Sequence, residues 1–207
     1  PVQVSHFKVM GEANWGMVEH SIAMVEKARK DGLDITADQY PYIASSTSLG
    51  SPVPVSVWRG GKGSEILNDP VERQKILDAL KARGSWDKIV VASLENEADQ
   101  AFIGKSVAEI GRIQEITDEE AAFGLLHRNR GVVTIVNFAM SEDDVRMVMR
   151  QPWIMVGSDG RAYNVKTAKG QPHPRSYGTF VRVLGRYVRE CGLLRLEEAV
   201  RKMTSLP

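Results

Sequence analysis

Cysteine is almost missing from this chain. Cys191 stands alone among 207 residues, so no disulfide can close within it. Its place in the helical pattern Tyr187–Gly192 gives it a structural or incidental role. Long apolar runs are missing too. Nothing approaches the roughly 18 residues of a membrane span, and no signal-peptide core appears. An excess of one charge is also absent. The 27 basic and 26 acidic residues leave a net charge of +1, with no Lys/Arg block. Nucleic acid and anionic membrane surfaces are therefore not expected as partners. These absences describe a soluble, cytoplasmic protein. The chain also lacks an initiator Met and opens inside an apolar run, so the expectation is a fragment of a longer protein.

What is present is a set of five short apolar runs, each ending on a polar residue. They end at His6, Asp38, Ser93, Asn137 and Asp159. Helical patterns separate them, which predicts βα units around a parallel sheet. In such folds the chemistry sits at the carboxyl ends of the strands. Alternation along a strand puts Val2, Val4 and His6 on one face, as it does Ile89, Val91 and Ser93, and Met155, Gly157 and Asp159. Each polar end is expected to point into a barrel or its mouth. A complete (β/α)₈ barrel takes about 250 residues, so five strands read as part of one. Helices are predicted from Met17 to Lys30, from Asp69-Pro70 to about Arg83, from Thr117 to about Asn129, and from Ser141 to Arg150. Two more are predicted near 176–191 and 196–204. The segment 41–66, rich in Ser, Gly and Pro, is too long for an ordinary connection and predicts a pocket cover or small inserted subdomain.

Few residues can carry chemistry. His20 and His127 lie in helical patterns, where structural roles are expected. His6 ends a strand, and its position alone leaves metal ligation and a structural role equally open. His173 and Arg175, in Pro172-His173-Pro174-Arg175, sit on a backbone stiffened by prolines. A planar guanidinium there suits a carboxylate, and a solvated turn is the bland alternative. Asp159, in Gly157-Ser158-Asp159-Gly160, could ligate a metal and move a proton, or simply form a turn.

Several stretches in order resemble the N-acyl-D-amino-acid deacylases (D-aminoacylases) of the amidohydrolase superfamily. They are Val4-Ser5-His6-Phe7-Lys8, Asn14-Trp15-Gly16, Asp38-Gln39-Tyr40-Pro41-Tyr42 with Ser45-Ser46-Thr47, Met140 to Val145, Ile154 to Gly160, His173-Pro174-Arg175 with Tyr177 to Phe180, and Lys202-Met203-Thr204. The resemblance implies an α/β chain forming roughly the carboxyl-terminal half, strands five to eight, of a metal-dependent barrel. It implies zinc, one or two ions, with His6 and Asp159 as ligands and Asp159 as the catalytic base and acid. Arg175 would hold the substrate carboxylate, with Ser93, Lys8, Tyr40 and His173 in the same pocket. Tyr40 stands where members can carry a metal-binding histidine. The His-x-His pair and cysteine ligand of the earlier strands are not in this chain. The implied substrate is a small N-acyl-D-amino acid, and self-association is a further expectation. A cyclic-amide hydrolase of the dihydroorotase or hydantoinase kind is the first alternative. The second is a catalytically silent half-barrel that only associates.

Overall fold

A computed structural model of the chain describes residues 1–53, 67–82, 84–164 and 166–207. It divides into two compact units: Pro1–Ala44, Ala139–Val165 and Pro174–Pro207 form the first, Ser45–Phe138 and Lys166–His173 the second. Among the described residues no helix is long and apolar enough to cross a membrane.

The first unit is built on a parallel sheet of three strands, β1 (Val2–Val4), β2 (Ile35–Gln39) and β6 (Ile154–Val156), in the order β1-β2-β6. Val4 aligns with Ala37, and Ala37 with Ile154. This residue row is apolar and packs with Val18 and Ile22 of α1 (Val18–Lys30) and Val148 of α5 (Glu142–Met149). Phe7 meets Trp153 edge-on, ring centroids 5.7 Å apart. A second cluster joins Val145, Met149 and Val156 to Val183, Tyr187 and Ala199. These come from the π-helical turns Val183–Glu190, which continue α6 (Arg175–Arg182), and from α7 (Leu196–Met203). The opposite row of the sheet, with Gln3, Asp38, Met155 and Gly157, lines a cavity instead.

In the second unit, β3 (Ser45–Ser48), β4 (Ile89–Leu94) and β5 (Val133–Asn137) form an antiparallel sheet in the order β3-β5-β4. Its core packs around α2 (Pro70–Lys81), α3 (Val107–Gln114) and α4 (Asp118–Arg128), with Ile76, Leu80, Ile110, Leu125 and Ile135 fully buried. The runs ending at Ser93 and Asn137 are thus strands as read, but antiparallel ones. They do not extend the parallel sheet, a correction that periodicity could not supply because it carries no strand direction. Of the cover segment 41–66, residues 54–66 lie outside the described residues.

Local chemistry explains the helix starts. Asp69 accepts from Val71 N–H and Glu72 N–H at the head of α2, with Pro70 at its first position, the arrangement read from sequence. Ser141 caps α5 by accepting from Asp143 N–H at 3.1 Å. Thr117 caps α4 through Glu120 N–H. Asp144, nearly buried, takes Gly16 N–H on both carboxylate oxygens, at 3.0 and 3.1 Å. That contact ties the loop after β1 to the first turn of α5.

Lys202 is a charged residue fully buried in the first unit, on α7. Its ammonium donates to the carbonyls of Gln151 and Ile154 and faces Glu198 at 3.6 Å. It thus fastens the last helix to the turn that starts β6. Burial pushes the ammonium down to about 8. Lys202→Met would keep the apolar stem but orphan both carbonyls, lowering stability by about 2–3 kcal/mol. The unfolded chain still holds this proton between about pH 8 and the ordinary value of 10.5, whereas the folded chain has released it. Stability from this group therefore rises with pH across that window. Chemical denaturation at several pH values should show the rise in the natural chain and not in the variant.

Candidate active site

The carboxyl ends of β1, β2 and β6 meet at one end of the first unit. Two residues there leave their strands in the left-handed region: His6 and Asp159, each with φ 45°. That conformation costs a residue with a Cβ about 1–3 kcal/mol, and it is where strain gathers at functional sites. It also decides where the side chains go. His6 has the parity of Val4, which packs on the helices, so an extended His6 would be expected to follow it. The left-handed turn brings it instead to the face of Gln3, Ser5, Asp38, Met155, Gly157 and Asp159, which together line a cavity of about 330 Å³. The sequence reading put His6 on the face of Val2 and Val4; the turn corrects that, though His6 still reaches the mouth. For β6 the reading holds as made, because Met155, Gly157 and Asp159 all line the cavity.

Asp159 reaches α6. Its Oδ2 lies 2.8 Å from Nη1 of Arg175, the first residue of that helix. A cation at a helix N-terminus opposes the macrodipole, and a carboxylate beside it relieves the conflict. Gly160 makes the approach feasible: a Cβ there would stand 2.8 Å from Cα of Ser176. Ser176 Oγ accepts from Arg161 N–H at 3.3 Å and closes the turn.

Tyr40 forms the floor. It is 3 % exposed, with the Arg175 guanidinium 4.7 Å from its ring centre and the Lys8 ammonium 5.3 Å away. Two cations thus share one aromatic ring. Lys8 also donates to the His6 carbonyl at 2.9 Å. Burial draws its ammonium below the ordinary value, an effect that the nearby Asp159 charge opposes. Burial pushes the Tyr40 phenol up to about 12, against the pull of Arg175. At neutral pH it is a phenol and not a phenolate.

His6, Lys8, Tyr40, Asp159 and Arg175 therefore fall in one unit and around one mouth. Ser93 and His173 belong to the second unit. Ser93 follows a register shift between Val91 and Ser93, and such a bulge resets side-chain alternation. The shared face expected for Ile89, Val91 and Ser93 is lost for that reason: the first two are buried and Ser93 is only partly so. His173 is buried, 3 % exposed.

Asp38 is a residue that the reading used only as a strand end. Its Oδ1 accepts His6 N–H at 2.9 Å and its Oδ2 accepts from Gln3 Nε2 at 2.9 Å. A signal was available, since Asp38 shares parity with Gly157's row and lies next to the end of the central strand.

Imidazole and carboxylate are both zinc donors, so His6 and Asp159 suit a metal in this cavity. Two donors fall short of a complete set. Among the described residues no three His, Cys, Asp or Glu side chains group closely enough to hold an ion.

No family model matches the chain. Known proteins do. It is 36% identical over 204 residues to an N-acyl-D-glutamate deacylase of Alcaligenes xylosoxydans xylosoxydans, covering 99% of this chain and 33% of that protein. The crystal structure of an N-acyl-D-glutamate deacylase from Bordetella bronchiseptica, complexed with zinc and a phosphonate mimic of the tetrahedral intermediate, superposes with a TM-score of 0.73. It is 33% identical, and the match covers 99% of this chain and 35% of that one. A D-aminoacylase studied for its binuclear metal centre superposes at 0.70 with 30% identity, covering 100% and 35%. The chain spans about a third of the length of the curated relatives it matches. The resemblance read from the motifs to N-acyl-D-amino-acid deacylases holds over the whole chain.

One prediction follows from the floor of the site. In a spectrophotometric titration Tyr40→Phe should remove one of two tyrosines ionising near pH 12, Tyr187 being the other. Loss of a group titrating near its ordinary value would contradict the buried, cation-flanked placement.

Proposed function

We propose that this chain is the carboxyl-terminal half of the barrel of a zinc-dependent N-acyl-D-amino-acid deacylase, acting within the complete polypeptide. The observation that carries the reading is the pair of cations, Lys8 and Arg175, both against the Tyr40 ring and beside the cavity of His6 and Asp159. A fixed carboxylate pocket next to donors suited to a metal is what an N-acyl amino acid requires. One end of the substrate is an anion and the other is the amide to be cut. The three parallel strands with helices against one face and a polar cavity on the other support the half-barrel reading. The single cysteine and balanced charge support a cytoplasmic enzyme with a small-molecule substrate and no nucleic-acid or membrane partner.

His6 and Asp159 would hold zinc, the remaining ligands coming from elsewhere in the polypeptide. When bound, zinc supplies Lewis acidity, which polarises an amide carbonyl and acidifies water to a pKa near 7. Arg175 binds the substrate's α-carboxylate through its planar fork, with Lys8 adding charge at the same ring. Both fix the scissile amide relative to Asp159 and so choose between enantiomers. Asp159 then accepts the proton of the attacking water at a carboxylate oxygen and passes it to the departing nitrogen. In the present structure that carboxylate is paired with Arg175. Substrate and Asp159 therefore compete for one guanidinium, and an arriving carboxylate releases Asp159 for proton transfer. Water and the N-acyl-D-amino acid thus give a carboxylate and a free D-amino acid: the acyl C–N bond breaks, a C–O bond to the water oxygen forms, and the water proton goes to the amine.

With the complete reading frame, free D-amino acid should be released from N-acetyl-D-amino acids, not from the L series, and release should stop with a chelator. Hydrolysis of hydantoins or dihydroorotate in its place would favour the cyclic-amide alternative. Asp159→Asn should lower kcat by about 10²–10⁴-fold, and near-normal turnover would remove Asp159 from the mechanism. Arg175→Met should act chiefly through kcat/KM for substrates that carry the α-carboxylate.

A further inference from the structure

We infer that Asp38 is the positioning residue that holds His6 in its left-handed, cavity-facing conformation, and that Gly157 exists to leave it room. The inference rests on the reading of His6 as a metal ligand.

Asp38 binds two successive N–H groups. Its side-chain Oδ1 takes His6 N–H at 2.9 Å, and its main-chain carbonyl takes Phe7 N–H at 2.8 Å. These donors flank the His6 Cα, so one fixes the chain on its φ side and the other on its ψ side. The third constraint is Lys8, whose ammonium holds the His6 carbonyl at 2.9 Å. With N–H, C=O and the following N–H all engaged, the strained φ of 45° is over-determined by its surroundings, the condition for such strain to persist. Without the Oδ1 contact His6 N–H loses the acceptor that draws it from extended geometry. An extended His6 follows the parity of Val4 towards the helices and away from the cavity.

The carboxylate is itself held in place. Gln3 Nε2 donates to Oδ2 at 2.9 Å, and Thr36 Oγ1 hydrogen-bonds Gln3 Oε1, so a chain of three polar side chains runs across β1 and β2. On the β6 side, a Cβ built on Gly157 would stand 3.0 Å from Asp38 Oδ1 and 3.2 Å from its Cβ and Cγ. Any larger residue would push the Asp38 carboxylate by a few tenths of an ångström from where His6 N–H meets it. Each carboxylate oxygen accepts a hydrogen bond, one of them from the His6 main chain, which suits Asp38 to supporting that residue. Supports of this kind are typically worth 10–100-fold in metal affinity or activity.

The test compares Asp38→Ala, Asp38→Asn and Gly157→Ala. In the complete polypeptide, zinc affinity by chelator competition should fall about 10–100-fold in Asp38→Ala, and kcat should fall with KM little changed. Asp38→Asn keeps an acceptor oxygen for His6 N–H and should stay within about threefold of the natural protein. Gly157→Ala should shift zinc affinity in the same direction as Asp38→Ala and provides the test if that variant does not fold. A readout independent of turnover is the His6 amide-to-Hα coupling in the labelled chain. It should report a left-handed residue in the natural protein and Asp38→Asn, and an extended one in Asp38→Ala. Natural zinc affinity and a left-handed His6 in Asp38→Ala would overturn the inference. So would equal damage from Ala and Asn, since the charge and not the acceptor would then matter. If the natural protein hydrolyses no acyl amino acid, the proposed function fails, while the coupling still decides the role of Asp38.

Discussion

An arginine at the first position of a helix faces the positive end of that helix, and the arrangement of the mouth follows from how that conflict is relieved. Asp159 relieves it at 2.8 Å, which requires β6 to end in a left-handed residue followed by a glycine close to the helix backbone. The Tyr40 ring attracts the same guanidinium at 4.7 Å and the Lys8 ammonium at 5.3 Å from its centre. Two cations and one carboxylate thus gather at this mouth although the whole chain is nearly neutral.

The features that sequence reveals here are those with local causes. Asp69-Pro70, Thr117 and Ser141 announce helix starts because capping is settled within four residues. Asp159 and its row were readable because β6 runs straight to Gly157. Three other expectations failed for non-local reasons. A left-handed turn at His6 breaks alternation after β1. A bulge before Ser93 breaks it in β4. Strand direction for β4 and β5 depends on the partners they find, and a run of alternating apolar residues looks the same either way. Asp38 escaped notice because its role is to accept from the main chain, and a hydrogen bond to backbone has no signature in the partner's residue type.

The two side chains suited to a metal show the same division of labour. His6 and Asp159 follow the two outer strands of the sheet, and the central strand between them contributes a carboxylate that accepts the His6 N–H. The conformation of His6 is thus met at its backbone and not at its ring. A His at the end of a strand is a common thing; a His whose peptide is gripped at N–H, at C=O and at the next N–H is not.

The first unit is assembled from three separate stretches of chain, whereas most of the second is one continuous stretch. That asymmetry has a kinetic consequence. The pairing of β2 with β6 closes a loop containing almost all of the second unit, and loop closure of that kind is entropically late in folding. A compact second unit shortens the effective loop by bringing its ends, near Ser45 and Phe138, onto neighbouring strands of one sheet. The antiparallel sheet brings the ends of that insertion together within the second unit, which lowers the entropy cost of pairing β2 with β6.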